Sequence, residues 1–527
     1  MEAGGTGAVK RIVVQKDSYY DSVFLMSINQ DVKSVAGISE AVVAMGTEMN
    51  RDLLKDMGLT NDEVAEATAN DLIIALEGEG EEALSEAEAA ARKLLSKKSG
   101  AGDTEQYRPT SLEAAKSLVP EANLTIISLP GEYAARDVRR ALREGMHVML
   151  FSDNVPLEQE IELKNLAKEK GLLMMGPDCG TAIINGKPLC FANVVRQGSI
   201  GIVAASGTGL QEVSCSIHNR GSGVSQAIGT GGRDLKNEKV GGTMMLMGIE
   251  ALAQDPATSV ITVVSKPPAE AVAEKVIRAL KESGKASVVH FIGLEKRAAD
   301  GKVHFAANLE EAAGMAVALS RGEAYQSEAF TISDSQVDAL VERESAGMAA
   351  QQQYLRGLYT GGTLADEALI LLHGRIGNVY SNNQGDDSFQ LSDPHNSQGH
   401  TIVDLGEDQF TVGRPHPMID PSTRTDRMER EMEDPEMAVL LLDVVIGYGS
   451  HGDPAGAMAD HIRRAKEKAV ERGGYLSVVT SITGTDGDPQ SIEAQRRTLE
   501  SLGCVVMPSN YQASMLALRI LEKAGAK

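Results

Sequence analysis

Two loops of small residues have the composition of an anion-binding site. Ser206-Gly-Thr-Gly209 follows an apolar run at residues 200–205 and precedes a segment with helical periodicity, and Gly231-Gly232 also follows a predicted strand. A helix start offers unpaired backbone N–H groups and the positive end of a dipole, and small residues let a ligand approach them. The first loop matches neither the P-loop nor the dinucleotide-binding pattern. An ordinary turn is the alternative for both loops. The residues predicted to bind phosphate or a carboxylate are Ser206, Gly207, Thr208, Gly209, Gly231 and Gly232.

A second group of polar residues lies near the carboxyl end of the chain. Residues 411–421 hold three prolines together with Arg414 and His416, Arg424 follows, and His451 stands in the next glycine-rich loop. Arginine binds carboxylate and phosphate through two parallel hydrogen bonds, and histidine serves as an acid or a base near neutral pH. We therefore predict Arg414, His416 and His451 as catalytic and Arg424 as substrate-binding. The alternative is that each histidine only braces its own loop.

Charge and cysteine content exclude several classes of protein. The net charge of −23 argues against nucleic acid and anionic membranes as partners. No run of about 20 apolar residues predicts a transmembrane helix. The four cysteines form no C-x-x-C pair, and the amino-terminal residues do not resemble a signal peptide, which predicts a cytoplasmic protein. Cys179 is a loop cysteine without a placed base, so a structural role is favoured over a nucleophilic one.

Alternating strand and helix patterns predict a multidomain α/β protein. Residues 124–175 have the βαβαβ pattern of a doubly wound parallel sheet. Residues 368–372 are apolar and are predicted to form a strand. The predicted domains are a small α/β domain at 1–105, a doubly wound domain at 106–196, a third domain at 197–327, a helical linker at 328–364 and a last domain at 365–527.

Two stretches of the chain match in order and in chemistry. Residues 260–319 and 439–521 each read as strand, helix, strand, strand and helix, with Asn308 or Asn510 just before the closing helix. Matching stretches of this length indicate two copies of one domain. Paired copies usually pack together, so we expect the loop at Ser206 to face the second copy's loops at 414–420 and 447–451 across a shared cleft.

Several motifs carry a resemblance to a known family. Met175-Gly-Pro-Asp-Cys-Gly-Thr181 and Ile202-Val-Ala-Ala-Ser-Gly-Thr-Gly209 resemble the α subunit of succinyl-CoA synthetase. With Gly413-Arg-Pro-His-Pro-Met-Ile-Asp-Pro421 and Asp443-Val-Val-Ile-Gly-Tyr-Gly-Ser-His451, nearly the whole chain resembles the FdrA family, also called AllF. The resemblance implies a Rossmann-like CoA-binding-type domain at 106–196, two flavodoxin-like CoA-ligase-type domains after it, and work in a complex with two other subunits.

Two activities are attached to that family, and the departures from the synthetase pattern help to choose between them. Succinyl-CoA synthetases carry a phosphohistidine loop and a glutamate-containing loop, whereas this chain has His304 inside an apolar strand and Val264-Ser-Lys-Pro-Pro268 in place of the second loop. No ATP-grasp domain is evident. We therefore favour the family's carbamoyl transfer between oxalurate and phosphate, which yields carbamoyl phosphate and oxamate. An NDP-forming acyl-CoA synthetase and a non-catalytic subunit that binds an anion or CoA remain the alternatives. CoA binding and homo-oligomer formation stay open, and no metal is expected.

Overall fold

The structure is a computed structural model that describes residues 9–16, 18, 20, 22–97, 109, 111–412 and 414–525. It divides into two compact units, Met1–Arg108 and Pro109–Lys527. The predicted boundary between residues 105 and 106 and the motif residue Gly413 lie outside the described residues.

The first unit is a small α/β domain built on a three-stranded antiparallel sheet in the order β1-β3-β2. The central strand is buried on both faces, because alternate residues point to opposite sides. Leu72, Ile74 and Leu76 pack in one core with α1 and α4, and Ile73 and Ala75 pack in the other with α2 and α3. The predicted small α/β domain is confirmed. Its elements are β1 (Val9–Gln15), α1 (Ser22–Lys33), β2 (Ile38–Met45), α2 (Glu48–Asp56), α3 (Asp62–Ala65), β3 (Leu72–Gly78) and α4 (Glu81–Lys97).

The second unit begins with a three-stranded parallel sheet in the order β4-β5-β6. Helices α6 and α7 connect its strands, which gives the βαβαβ arrangement predicted from the sequence. The elements are α5 (Leu112–Leu118), β4 (Leu124–Ile127), α6 (Gly131–Arg143), β5 (His147–Leu150), α7 (Leu157–Glu169) and β6 (Met174–Met175).

A seven-stranded sheet follows, in the order β13-β12-β11-β9-β10-β7-β8. Strands β7 and β8 form an antiparallel hairpin at one edge, and β9 to β13 are parallel. The elements are β7 (Thr181–Ile184), β8 (Lys187–Cys190), β9 (Gln197–Ala205), α8 (Gly207–Asn219), β10 (Val224–Gly229), α9 (Arg233–Lys236), α10 (Thr243–Gln254), β11 (Val260–Ser265), α11 (Glu270–Glu282), β12 (Ala286–Phe291), β13 (Val303–Phe305) and α12 (Leu309–Arg321).

The last sheet has six parallel strands in the order β15-β16-β14-β17-β18-β19. The elements are α13 (Asp334–Ser345), β14 (Tyr354–Tyr359), α14 (Gly362–Leu372), β15 (Val379–Ser381), β16 (His400–Asp404), α15 (Asp408–Thr411), α16 (Ser422–Glu431), β17 (Met437–Val445), α17 (Pro454–Glu471), β18 (Ser477–Thr483), α18 (Ile492–Ser501), β19 (Val505–Met507) and α19 (Asn510–Ala524).

The two larger sheets share one topology. When β9 to β13 are numbered in chain order, they run 2-1-3-4-5 across the first of these sheets. Strands β14, β16, β17, β18 and β19 run in the same order across the second, with β15 added at the edge. This is the flavodoxin-like order, in which ligands bind beyond the carboxyl ends of the strands. The topology supports the predicted duplication, and we call the two domains the first and the second copy.

Two predictions near the start of the second copy are corrected. Residues 354–359, which the sequence assigned to a helical linker, form the inner strand β14. The glutamines at 351–353 and the glycines at 361–362 that suggested a linker flank this strand, and its one charged residue, Arg356, is buried and paired with Glu431 and Asp434. Residues 368–372 belong to α14 and not to a strand, because five consecutive apolar residues carry no periodicity that separates a strand from a segment of helix.

Candidate active site

The starts of two helices meet where the copies pack together. Helix α8 begins at Gly207 and its counterpart α14 begins at Gly362. The hydroxyl oxygens of Ser206 and Thr363 are 2.7 Å apart, and Thr363 N donates to Thr208 Oγ1 at 3.3 Å. The predicted anion loop therefore does face the second copy, but its direct partner is the start of α14 and not the loops at 414–420 and 447–451.

Within the loop at residues 206–209, some residues stabilise the turn and others are accessible to a ligand. The Ser206 hydroxyl caps α8 by accepting from Gly209 N at 3.0 Å, and a Cβ at Gly209 would lie 2.2 Å from that oxygen. Both residues therefore serve the turn itself. Gly207 is exposed, and a Cβ there would lie 3.7 Å from Thr181 Oγ1. Thr181 is buried, and its hydroxyl has no hydrogen-bond partner among the described residues.

The second predicted loop is packed against the end of β6. Gly231 has φ of +87°, and a Cβ at this residue would lie 2.1 Å from Pro177 O, so only glycine fits. A Cβ at Gly232 would lie 3.5 Å from Asp178 Oδ2. The loop therefore lies beside a carboxylate, while the following Arg233 pairs with Glu160 at 2.9 Å.

A group of charged side chains lies next to the start of α14. Lys266 directly follows β11, and its Nζ is 3.1 Å from Asp366 Oδ2. A Cβ at Gly362 would lie 3.3 Å from this Nζ and 2.3 Å from Asp404 Oδ2. We call Lys266, Asp366 and Asp404 the lysine cluster. Its members come from three strand or helix ends, two of them in the second copy.

Burial and mutual attraction perturb the ionisation of this cluster. Burial alone would lower the pKa of Lys266, but Asp366 and Asp404 outweigh it and raise this pKa. Burial raises the pKa of Asp404 and of Asp366, and Lys266 opposes both shifts. Perturbed groups that converge in a cleft are typical of functional sites.

One of the three predicted catalytic residues lies beside the lysine cluster. The side chains of His416 and Asp404 both approach the backbone of Gly406. A Cβ added at this glycine would lie 2.6 Å from His416 Nε2 and 3.2 Å from Asp404 Oδ1. His416 Nδ1 accepts from Met418 N at 3.2 Å, the ring packs on Phe191, and burial lowers its pKa to about 4. His416 is therefore neutral at physiological pH.

The other two predicted catalytic residues lie farther out. His451 is on the adjoining loop, where its backbone N donates to Met418 O at 2.7 Å and its Nδ1 accepts from Asp453 N at 3.0 Å. Arg414 is exposed and lies 3.6 Å from Asp426, which is exposed as well. These contacts support the alternative reading of His451, in which it braces its own loop.

Arg424, predicted to bind substrate, is buried inside the second copy. Its Nη1 donates to Asp443 Oδ1 at 2.8 Å and to Asp443 O at 2.6 Å. Asp443 also accepts from the backbone N of Thr360 at 2.9 Å and of Gly361 at 2.8 Å, just before α14. Arg424 therefore neutralises a carboxylate that holds the start of α14 in place.

Arg424→Gln should lower the free energy of unfolding by about 2 kcal/mol, because a buried charged hydrogen bond is lost. Urea titration would measure this loss. Arg414→Gln, at an exposed position, should change it by no more than about 0.5 kcal/mol. Unchanged stability of Arg424→Gln together with weaker substrate binding would instead favour the substrate-binding role.

The structure gives no support to Cys179 as a nucleophile. Burial raises the pKa of this thiol to about 12, and a Cβ at Gly229 would lie 2.6 Å from its Sγ.

In the described parts of the chain, no three or more His, Cys, Asp or Glu side chains are grouped to hold a metal ion. No helix among the described residues is long and apolar enough to cross a membrane.

Three family models match parts of the chain. A CoA binding domain matches residues 195–293 and a CoA-ligase domain matches residues 358–520. The heavy metal-associated domain of AllF matches residues 8–110. Residues 8–110 contain no cysteine and no histidine, so they offer no thiolate or imidazole ligand to a metal ion.

Individual proteins are similar to this chain over different lengths. The chain is 45% identical to the uncharacterized protein YahF of Escherichia coli strain K12 over 518 residues, which cover 97% of this chain and 99% of YahF. It is 27% identical to the succinate–CoA ligase [ADP-forming] subunit alpha 2 of Archaeoglobus fulgidus over 32% of this chain and 58% of that protein. The apo dinucleotide-forming acetyl-coenzyme A synthetase 1 of Ca. Korarchaeum cryptofilum superposes with a TM-score of 0.31 and 15% identity, covering 76% of this chain and 83% of that one. The chain belongs to the FdrA/AllF family, which is similar to the α subunit of succinyl-CoA synthetase.

Proposed function

We propose that the chain is a subunit of an oxamate carbamoyltransferase that acts in the cytoplasm with partner subunits. In this reaction a carbamoyl group moves reversibly between oxalurate and phosphate, and the products are carbamoyl phosphate and oxamate. The observation that carries the proposal is Lys266, whose ammonium group lies at the start of α14 where it meets the start of α8. Its ammonium group is paired with Asp366 at 3.1 Å, so an anion bound here would take the place of that carboxylate as the partner of Lys266.

Two further features next to the Ser206 loop support phosphate binding there. Gly207 is exposed at the first position of α8, where backbone N–H groups and the helix dipole favour an anion. The Thr181 hydroxyl lies beside it and has no partner among the described residues. A buried hydroxyl without a partner is rare in native proteins and suits a bound ligand oxygen.

The cleft favours direct transfer between two bound substrates. A covalent route needs a reactive nucleophile, but the Cys179 thiol is buried with a pKa of about 12 and the Ser206 hydroxyl caps α8. His304 lies in the short strand β13, paired with Val288, and not in a loop at the cleft. A phosphate oxygen would therefore attack the carbamoyl carbon of oxalurate, and the bond from that carbon to the oxamate nitrogen would break. Lys266 would stabilise the negative charge that develops.

Incubation of the chain, co-purified with its partner subunits, with ¹³C-labelled oxalurate and phosphate should give carbamoyl phosphate and oxamate. Carbon-13 NMR would detect both products. His304→Ala should leave the rate unchanged, because direct transfer needs no phosphoenzyme. Absence of carbamoyl phosphate from the complete complex would contradict the proposal.

An acid–CoA ligase is the second candidate, and the matches to the CoA binding and CoA-ligase domain models favour it. This activity predicts CoA-dependent nucleotide hydrolysis and an acid-labile phosphate on His304. A non-catalytic subunit would instead be stabilised by CoA or phosphate without turnover. The same preparations distinguish the three functions, since the two enzymes form different products and the non-catalytic subunit forms none.

A further inference from the structure

We propose that Asp404 is the general acid that protonates the oxamate nitrogen as the carbamoyl group leaves it. This inference rests on the proposed carbamoyl transfer and names a catalytic residue for it. Asp404 ends strand β16 in the second copy and is not among the site residues predicted from the sequence.

The two oxygens of Asp404 have different surroundings. Oδ1 accepts from Gly406 N at 2.9 Å, and the side chain of Asn382 holds the Asp404 backbone through two hydrogen bonds of 2.9 Å. Oδ2 approaches Gly362 at the start of α14, and Lys266 Nζ approaches the same glycine. Among the described hydrogen bonds, Oδ2 accepts none. One oxygen is therefore fixed, while the other faces the place where Lys266 would hold a substrate anion.

The charged groups around Asp404 favour its protonated form. Lys266 from the end of β11 opposes protonation, but it is already paired with Asp366 of α14 at 3.1 Å. Glu407 and Asp366 add negative charge, and His416 is neutral. Burial is the largest cause, and together with these carboxylates it raises the pKa of Asp404 to about 8. The raised pKa favours a carboxyl that keeps its proton near neutral pH, as a general acid must.

Asp404 alone would account for both proton transfers of the reaction. As the phosphate oxygen bonds to the carbamoyl carbon, the carbon–nitrogen bond breaks and the nitrogen takes the proton of Asp404. The Asp404 carboxylate then accepts the proton that the attacking monohydrogen phosphate loses. The net result is transfer of one proton from phosphate to oxamate, with no other reactant. In the reverse direction, the Asp404 carboxylate removes a proton from the oxamate nitrogen.

Asp404→Asn in the complete complex should lower kcat roughly 100-fold while the KM for phosphate and for oxalurate changes little. The wild-type rate should be highest below pH 8 and fall above it, because the protonated acid is lost as pH rises through its pKa. This alkaline fall should be absent from the residual activity of Asp404→Asn. Asp338→Asn, at an exposed position paired with Arg519, should behave as wild type.

A second donor separates acid catalysis from a structural effect. p-Nitrophenyl carbamate has a leaving group that needs no proton, so Asp404→Asn and wild type should carbamoylate phosphate from it at similar rates. Wild-type kcat, or an unchanged alkaline fall, in Asp404→Asn with oxalurate would overturn the inference. Equal losses with both donors would overturn it as well. If wild type itself forms no carbamoyl phosphate, the proposed function fails and this inference fails with it.

Discussion

Lys266→Met should lower the rate of carbamoyl phosphate formation roughly 1,000-fold, because a fixed charge at the site of the developing anion is removed. Methionine keeps most of the length and apolar stem of lysine, so the change removes the ammonium group with little change in packing. In the wild-type protein, the Nζ atom lies 3.1 Å from Asp366 Oδ2 and next to the start of α14. Steady-state kinetics with oxalurate and phosphate would measure the loss.

The stability of Lys266→Met should stay close to that of wild type, and this separates the effect from misfolding. Lys266 opposes the raised pKa of Asp366, so its removal lets this carboxyl take up a proton, and the removal also favours the protonated form of Asp404 that general acid catalysis requires. Lys266→Arg should recover part of the activity by restoring the charge. Lys281→Met, on the exposed part of α11, should match wild type. Near-normal turnover in Lys266→Met would remove this lysine from the proposed site.

Local patterns in the sequence were enough to predict much of the architecture and one wall of the cleft. The run at residues 200–205 followed by Ser206-Gly-Thr-Gly209 predicted a strand, a turn and a helix start, and all three are present. The matching patterns at 260–319 and 439–521 predicted two copies, and the shared strand order supports this. These predictions succeed because chain order and alternation of apolar residues dictate parallel α/β topology.

The lysine cluster could not be predicted in the same way. Lys266, Asp366 and Asp404 are distant in the chain and meet only because β11 of one copy lies opposite α14 and β16 of the other. Each residue alone looks like an ordinary surface charge. The position of Lys266 and Asp404 at the ends of strands was the available signal, since ligands bind beyond such ends in parallel sheets. Arg424 was wrongly predicted to bind substrate, because its pairing with the buried Asp443 is visible only in three dimensions.

A buried ion cluster fixes the Rossmann-like domain to the first copy. Lys164 Nζ on α7 lies 2.9 Å from Glu160 Oε1 and 2.7 Å from Asp234 Oδ1, and it donates to Thr230 O at 3.1 Å. The side chains of the three charged residues are 0–1% exposed. Asp234 in turn accepts from Met245 N at 2.8 Å in the first turn of α10. One lysine therefore connects α7, the loop after β10 and the start of α10.

Lys164→Met should lower the free energy of unfolding by about 3–5 kcal/mol, because Asp234 would stay buried without its cation and Glu160 would keep only Arg233 as a partner. Urea titration followed by far-UV circular dichroism would measure this. Lys168→Met, one turn later on the exposed side of α7, should change it by at most about 0.5 kcal/mol. Adding Asp234→Asn to Lys164→Met should recover part of the loss, since one uncompensated charge is removed. A loss below about 1 kcal/mol in Lys164→Met would mean that the desolvation of the three charges cancels their attraction.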